Sequence, residues 1–248
     1  MNRLIYIILI LLIFACDSEK ANDCFQTTGA IIQEDITVAN FDKILVNQGV
    51  ELILKEGSEQ KIIVETGVNL LNDISVSVEN ETLILTDGNT CNYVRKYGVT
   101  KVYVTSPNII EIRSSTQYGI SSDGVLTYPS LSVFSEDFNA PDTFTVGDFN
   151  LTINSTSFSG IFNGTTLCFI RGTTNNLNIN FPSGDSRFNG RDLIAQDVNI
   201  FHRGSNDMIV NPQEEITGVI TSTGNVISVS RPNTINVDTR YKGQLIFE

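Results

Sequence analysis

His202 is the only histidine among 248 residues. A serine–histidine–acid relay therefore has one place to form, and a multi-histidine metal site has none. His202 stands in the densest polar run of the chain, Phe201-His202-Arg203-Gly204-Ser205-Asn206-Asp207, with Asp185, Arg187 and Arg191 upstream. Arg187, His202, Arg203 and Asp207 are the candidate ligand-site residues. Arg187 and Asp207 stand one period apart in the glycine-marked repeat described below, which places the arginine directly beneath the aspartate. That geometry has a structural reading, an ion pair between neighbouring coils beside a corner. It also has functional readings: a shallow site for an anionic sugar or glycan, or a lyase-like or hydrolase-like groove. No Gly-x-Ser-x-Gly elbow, phosphate loop or acidic calcium loop is present, so no catalytic residue, metal or cofactor is assigned.

Aromatic stacking is the other common route to sugar binding. The chain has no Trp. Tyr93, Tyr97, Tyr103, Tyr118 and Tyr128 are the substitutes, with half-buried sheet positions as the plainer reading.

Sulfur chemistry is more informative. Cys16 ends an apolar run from Leu4 to Ala15 that follows Arg3, and the sequence turns polar at once with Asp17-Ser18-Glu19-Lys20. The run is shorter than the roughly 20 residues that span a bilayer. It has the shape of an export signal. Leu12 and Ala15 before Cys16 resemble the lipobox of bacterial lipoproteins, which implies lipidation at Cys16. Residues 1–15 are then the signal peptide, 16–33 the lipidated cysteine and tether, and 34–248 the head. Cys24, Cys91 and Cys168 would meet a disulfide-permissive compartment. Cys24 with Cys91 is the favoured pair, because both lie in polar, turn-like stretches. Cys168, in Leu167-Cys168-Phe169-Ile170, reads as a buried small hydrophobe.

The elements that must position these groups are strands. Asn, Thr and Ser number 25, 24 and 21, whereas Ala numbers 6. That mix disfavours helices and favours sheet. The net charge of −12 argues against a nucleic-acid partner, which needs a basic face. Residues 34–113 read as short strands, such as Val50 to Leu54 and Ile74-Ser75-Val76-Ser77-Val78, with a hairpin loop at residues 55–60. From residue 114 a longer repeat sets in. Gly124, Gly164, Gly184, Gly204 and Gly224 share one register. Its period, about 20 residues, is of the size that solenoid repeats take. Ile161, Phe181 and Phe201 share the same period, as do the pairs Leu131 and Leu151, and Ile200 and Ile220. A fixed period of this size with turn glycines predicts a β-solenoid, whose coils bury an apolar interior only by stacking.

Phe41-Asp42-Lys43-Ile44-Leu45-Val46-Asn47-Gln48-Gly49-Val50-Glu51-Leu52 resembles the opening of the head GIN domain family of auto-transporter adhesins, common as lipoproteins in Bacteroidetes-type bacteria. Val64 to Leu71 and Glu81 to Leu85 continue the likeness, and the Gly-cornered repeats fit it. The resemblance implies an all-β fold, a right-handed parallel β-helix with a β-rich N-terminal portion. It also implies an adhesive role without catalysis. The expected protein is an envelope-anchored binding or structural head at the outer membrane, held by its lipid. Its partners would be glycans or cell-surface proteins. A polysaccharide lyase or hydrolase on the same scaffold is the alternative. The oligomeric state and membrane face are left open.

Overall fold

A computed structural model describes residues 23–138 and 141–248. The fold is all-β: the described residues contain strands and two short 3-10 turns, Asp23–Phe25 and Leu71–Asp73, and no α-helix. The strands are β1 (Ile31–Ile36), β2 (Lys43–Val46), β3 (Glu51–Glu56), β4 (Lys61–Gly67), β5 (Ile74–Glu79) and β6 (Thr82–Asp87). β7 (Lys101–Ser106), β8 (Glu111–Ser114), β9 (Ile120–Leu126) and β10 (Ser130–Ser135) follow. Four long strands come next, β11 (Phe149–Phe162), β12 (Leu167–Phe181), β13 (Arg187–His202) and β14 (Met208–Ile220). β15 (Val226–Ser228), β16 (Thr234–Thr239) and β17 (Leu245–Phe247) complete the set.

Pairing arranges them as two parallel ladders. The first runs β6, β2, β8, β10, then the C-terminal halves of β11 to β14, then β16. The second runs β7, β3, β9, then the N-terminal halves of β11 to β14, then β15 and β17. Each long strand thus serves both ladders. In β12, burial falls on Cys168, Ile170 and Thr174, then shifts to Leu177, Ile179 and Phe181. The change of parity marks the bend from one ladder to the other. Only small or compact residues stack inside that bend: Ser155, Thr174, Ala195 and Pro212 lie side by side. Ser155 donates its hydroxyl to Thr174 Oγ1 at 3.2 Å.

Between the ladders the core is aliphatic, with an aromatic spine. Phe149, Phe162, Phe181 and His202 meet edge to face, with ring centroids 5.9, 5.9 and 5.3 Å apart. Such pairs add about 0.5–1.5 kcal/mol each beyond their burial.

The repeat is less regular than the glycine register implies. Phe149 lies beside Cys168, Cys168 beside Phe188, Phe188 beside Met208 and Met208 beside Val226. These steps are unequal: the first is one shorter than the two that follow it, and the last is shorter still. The expected columns therefore break. Ile161 pairs with Asn180, Phe181 with His202, Leu131 with Phe158, and Ile200 with Gly218. Gly164, Gly184, Gly204 and Gly224 do stack at one corner, and Gly243 joins them. Gly124 does not: it lies within β9, and a Cβ there would meet nothing within 4 Å. Of the stacked five, only Gly184 has a positive φ, 87°. Close approach is the commoner reason for glycine here, since a Cβ on Gly184, Gly224 or Gly243 would strike a carbonyl of the preceding coil.

The segment at residues 55–60 is not a hairpin. β3 and β4 do not pair with each other; β3 runs parallel to β7 and β4 antiparallel to it. The hairpin of this region is β5–β6, turned by Asn80 and Glu81, both at positive φ (49° and 62°). Nor does the parallel stacking wait for residue 114. β2 and β3 sit between β6/β7 and β8/β9, so the chain builds an outer pair of strands and then returns past its own beginning.

Candidate functional site

The predicted charged cluster does not converge. His202 is fully buried on the aromatic spine, because the alternation that exposes Phe201 and Arg203 turns the residue between them inward. Its Nδ1 accepts from the Gly204 backbone N–H at 3.3 Å. Burial pushes the imidazole below its ordinary value. The backbone of Asn206 and Asn225 and the carboxylate of Asp207 oppose that shift without reversing it. His202 is therefore a core residue and cannot reach a surface ligand beside Arg203 and Asp207. Arg187, Arg203 and Asp207 are exposed. Arg187 stands at the expected neighbouring position but donates to Asn206 Oδ1 at 3.2 Å, while Asp207 accepts from the backbone and side chain of Asn225 at 3.0 and 3.2 Å. The expected Arg187–Asp207 ion pair is replaced by these turn-to-turn hydrogen bonds.

The sulfur chemistry resolves more simply. Cys24 and Cys91 form a disulfide. Cys168 is a buried free thiol, and burial pushes its pKa well up, away from reactivity. Cys16 lies outside the described residues.

The outer side of the first ladder presents an ordered polar surface. In β12 the run Asn176-Leu177-Asn178-Ile179-Asn180 alternates, so Leu177 and Ile179 enter the core and the asparagines face out. Parallel stacking carries each outward position into a column. One column is Ser157, Asn176, Asp197, Glu215 and Thr234. The next is Ser132, Ser159, Asn178, Asn199, Thr217 and Asn236. The third is mixed, apolar at most positions and polar at two: Phe134, Ile161, Asn180, Phe201, Val219 and Asp238.

Neighbouring side chains in a column recur about every 4.8 Å, and columns stand about 6.6 Å apart along the strand. The middle column bonds to itself. Asn199 Nδ2 donates to Asn178 Oδ1, and Thr217 Oγ1 donates to Asn199 Oδ1, both at 3.4 Å. Phe201 is 39% exposed. At the other end of its column, the Arg113 guanidinium covers the Phe134 ring at 4.8 Å and pairs with Glu136 at 2.5 Å. Amides and hydroxyls in such an array can donate and accept, and the exposed Phe201 ring beside them can stack. Alternation in β12 is the sequence signal of this surface; the glycine register carries no trace of it.

The chain belongs to the family described as "Putative auto-transporter adhesin, head GIN domain", whose profile matches residues 40–232. Among solved structures it is similar to a putative adhesin from Bacteroides fragilis, with 17% identity, a TM-score of 0.78 and coverage of 90% of this chain and 99% of that one. A putative lipid binding protein from Parabacteroides distasonis aligns at 16% identity and a TM-score of 0.59, covering 89% and 98% of the two chains. A putative adhesin from Parabacteroides merdae gives 14%, 0.53, and 90% and 98%. At these identities the likeness is one of fold. No curated protein sequence matches the chain.

Proposed function

We propose that this chain is a non-catalytic, adhesin-like binding head that grips an extended glycan or a cell-surface protein across the outer side of the first ladder. The observation that carries the reading is the middle column from Ser132 to Asn236, flanked by the column containing Phe134 and Phe201. Polar groups at strand spacing match the repeat of a polymer better than a compact ligand. The groups on offer bind by hydrogen bonds and stacking. Arg187 and Arg203 contribute positive charge at the corner, where an anionic polymer would meet them, and Asp207 opposes it.

The scaffold is read as a right-handed parallel β-helix over the 34–248 head, on the strength of the two parallel ladders and the family. Residues 1–15 serve as an export signal and Cys16 as the lipid anchor of a head at the outer membrane. No helix among the described residues is long and apolar enough to cross a membrane. The expected tether is shortened by the structure: Asp23–Phe25, the Cys24–Cys91 disulfide and β1 from Ile31 already belong to the head, so a lipid on Cys16 and the few residues after it would hold the head at the surface.

The test is retention of neutral and acidic polysaccharides by the immobilised head, compared with an Asn178→Ala/Asn199→Ala variant. Retention lost in the variant, at an unchanged melting temperature, supports the reading. Equal retention by both proteins removes the face. Release of unsaturated or reducing ends from any polysaccharide overturns the non-catalytic assignment in favour of a lyase or hydrolase. Protease treatment of intact cells, followed by detection of the head, decides whether it faces outward.

A further inference from the structure

We propose that a cavity at the N-terminal end of the ladders, remote from the outer face described above, is a binding site for one uncharged sugar ring. The cavity, of about 150 Å³, lies between the turn following β2 and the segment joining β6 to β7. At about 30 Å³ per molecule of liquid water, that space equals about five waters. Drug-sized ligands occupy roughly 300 Å³ or more, so a single ring suits the cavity better.

Its lining combines amides and rings. Gln48, Asn89 and Gln117 supply amides, Lys96 an ammonium, and Tyr97 and Tyr118 aromatic surface. Asn89 Oδ1 is shielded from solvent and has no hydrogen-bond partner within the chain. Its Nδ2 is committed, to Leu70 O at 3.1 Å and Asp87 Oδ1 at 2.7 Å, which fixes the amide's orientation. Asn89 is thus part of the framework of the wall, and the groups turned to a ligand are the Gln48 and Gln117 amides and the Tyr97 and Tyr118 rings. Tyr97 is 77% exposed, so its ring gains from being covered. The plainer expectation of a half-buried sheet tyrosine fails for Tyr97 and Tyr93, both of which lie in the β6–β7 connection.

Charge selects the ligand class. The Asp87 carboxylate, also in the lining, is nearly buried and saturated by Asn89 and by Thr100 Oγ1 at 2.6 Å. Arg95 is spent elsewhere. It pairs with Asp23 at 2.7 Å and donates to the carbonyls of Asp23 and Cys91 at 2.5 and 2.8 Å. Lys96 and Asp87 then balance each other, so a neutral polyol is favoured over a uronate.

The wall is also rigid before the ligand arrives. The Cys24–Cys91 disulfide, the Arg95 contacts and the Phe25–Tyr93 ring pair at 5.6 Å clamp the connection onto the segment at residues 23–26. A preformed wall spares the ordering cost that a loose loop would incur.

Saturation-transfer NMR on the head, with the methyl glycosides of glucose, galactose, mannose, N-acetylglucosamine and glucuronic acid, tests the proposal. At least one neutral glycoside should receive saturation. The signal should fall at least about tenfold in Tyr97→Ala, which should melt as the parent does. It should persist in Asn178→Ala/Asn199→Ala, which separates this site from the outer face. Absence of transfer to every neutral glycoside overturns the proposal. So does transfer that survives Tyr97→Ala, or a preference for the glucuronide.

Discussion

The two ends of the stacked ladders face the same physical problem and treat it differently. A terminal strand presents unpaired backbone groups and a slice of core. At the N-terminal end, β5 covers β6 and β4 covers β7, both antiparallel, and β1 adds beyond β4. The disulfide and Arg95 then tie the β6–β7 connection to residues 23–26. At the other end, β16 and β17 each pair on one side, and among the described residues no strand pairs with them beyond that. Ile235, which faces inward by its pairing with Ile216, is 39% exposed. The repeat therefore propagates order along the stack but does not finish it. Finishing one end took antiparallel strands, a covalent staple and a charged clamp.

Cutting the staple puts this contrast to its most severe test. Cys24→Ser/Cys91→Ser should lower stability by about 4 kcal/mol, the chain-entropy value for a loop of this size. Melting with and without reductant measures it. Amide exchange should rise in residues 88–100 and stay low in β12 and β13. Uniform loosening would mean that the clamp supports the whole stack.

At the join between the N-terminal strands and the long coils, Glu136 is 1% exposed and pairs with Arg113. Glu136→Ala should cost about 3 kcal/mol, because it removes the closer of two carboxylates from the mostly buried Arg113 guanidinium and leaves Glu111, at 4.0 Å. Urea denaturation reads the loss, and a shift below about 1 kcal/mol would show that solvent reaches Arg113. Within the regular stack, Gly224→Ala should cost about 2 kcal/mol, since the added methyl meets the Asn206 carbonyl and His202 Nε2. Gly124→Ala, outside the corner column, tests backbone strain alone through its φ of 95°.

His202 gives the stack a pH dependence. Its folded pKa is depressed, so the unfolded chain binds the proton more readily. The contribution is fully present above the ordinary histidine value of about 6.5 and is lost as pH falls from there towards the folded pKa. The melting temperature should therefore drop across mildly acidic pH, and His202→Phe should flatten that part of the profile. The smallest effect belongs to Arg191→Ala. Its pair with Glu248 is exposed, and exposed pairs contribute little. Melting should be unchanged and insensitive to salt.

Some features could be read residue by residue. Cys24 and Cys91 declared their pairing through polar, turn-like neighbourhoods, and Cys168 its burial through apolar ones. The glycines at 164, 184, 204 and 224 marked a corner, because only a residue without a side chain lets successive coils approach so closely. The all-β composition and the family likeness were equally visible.

What lay beyond the sequence was register. Coil lengths that vary by a residue or two look alike in a list of glycines, yet a one-residue slip moves every side chain to the opposite face. That is why Ile161, Phe181 and Phe201 align by number and not in space. It is also why His202 looked available for chemistry and proved to be core. Alternation marks Asn176, Asn178 and Asn180 as outward, but tertiary pairing alone decided which side chains stand beside them in the columns. It alone decided that β2 and β3 lie inside strands made after them, and that Tyr97, Tyr118 and Asn89 share one cavity. Local alternation of apolar and polar residues fixes which set faces water; long-range hydrogen bonding fixes which outward residues become neighbours.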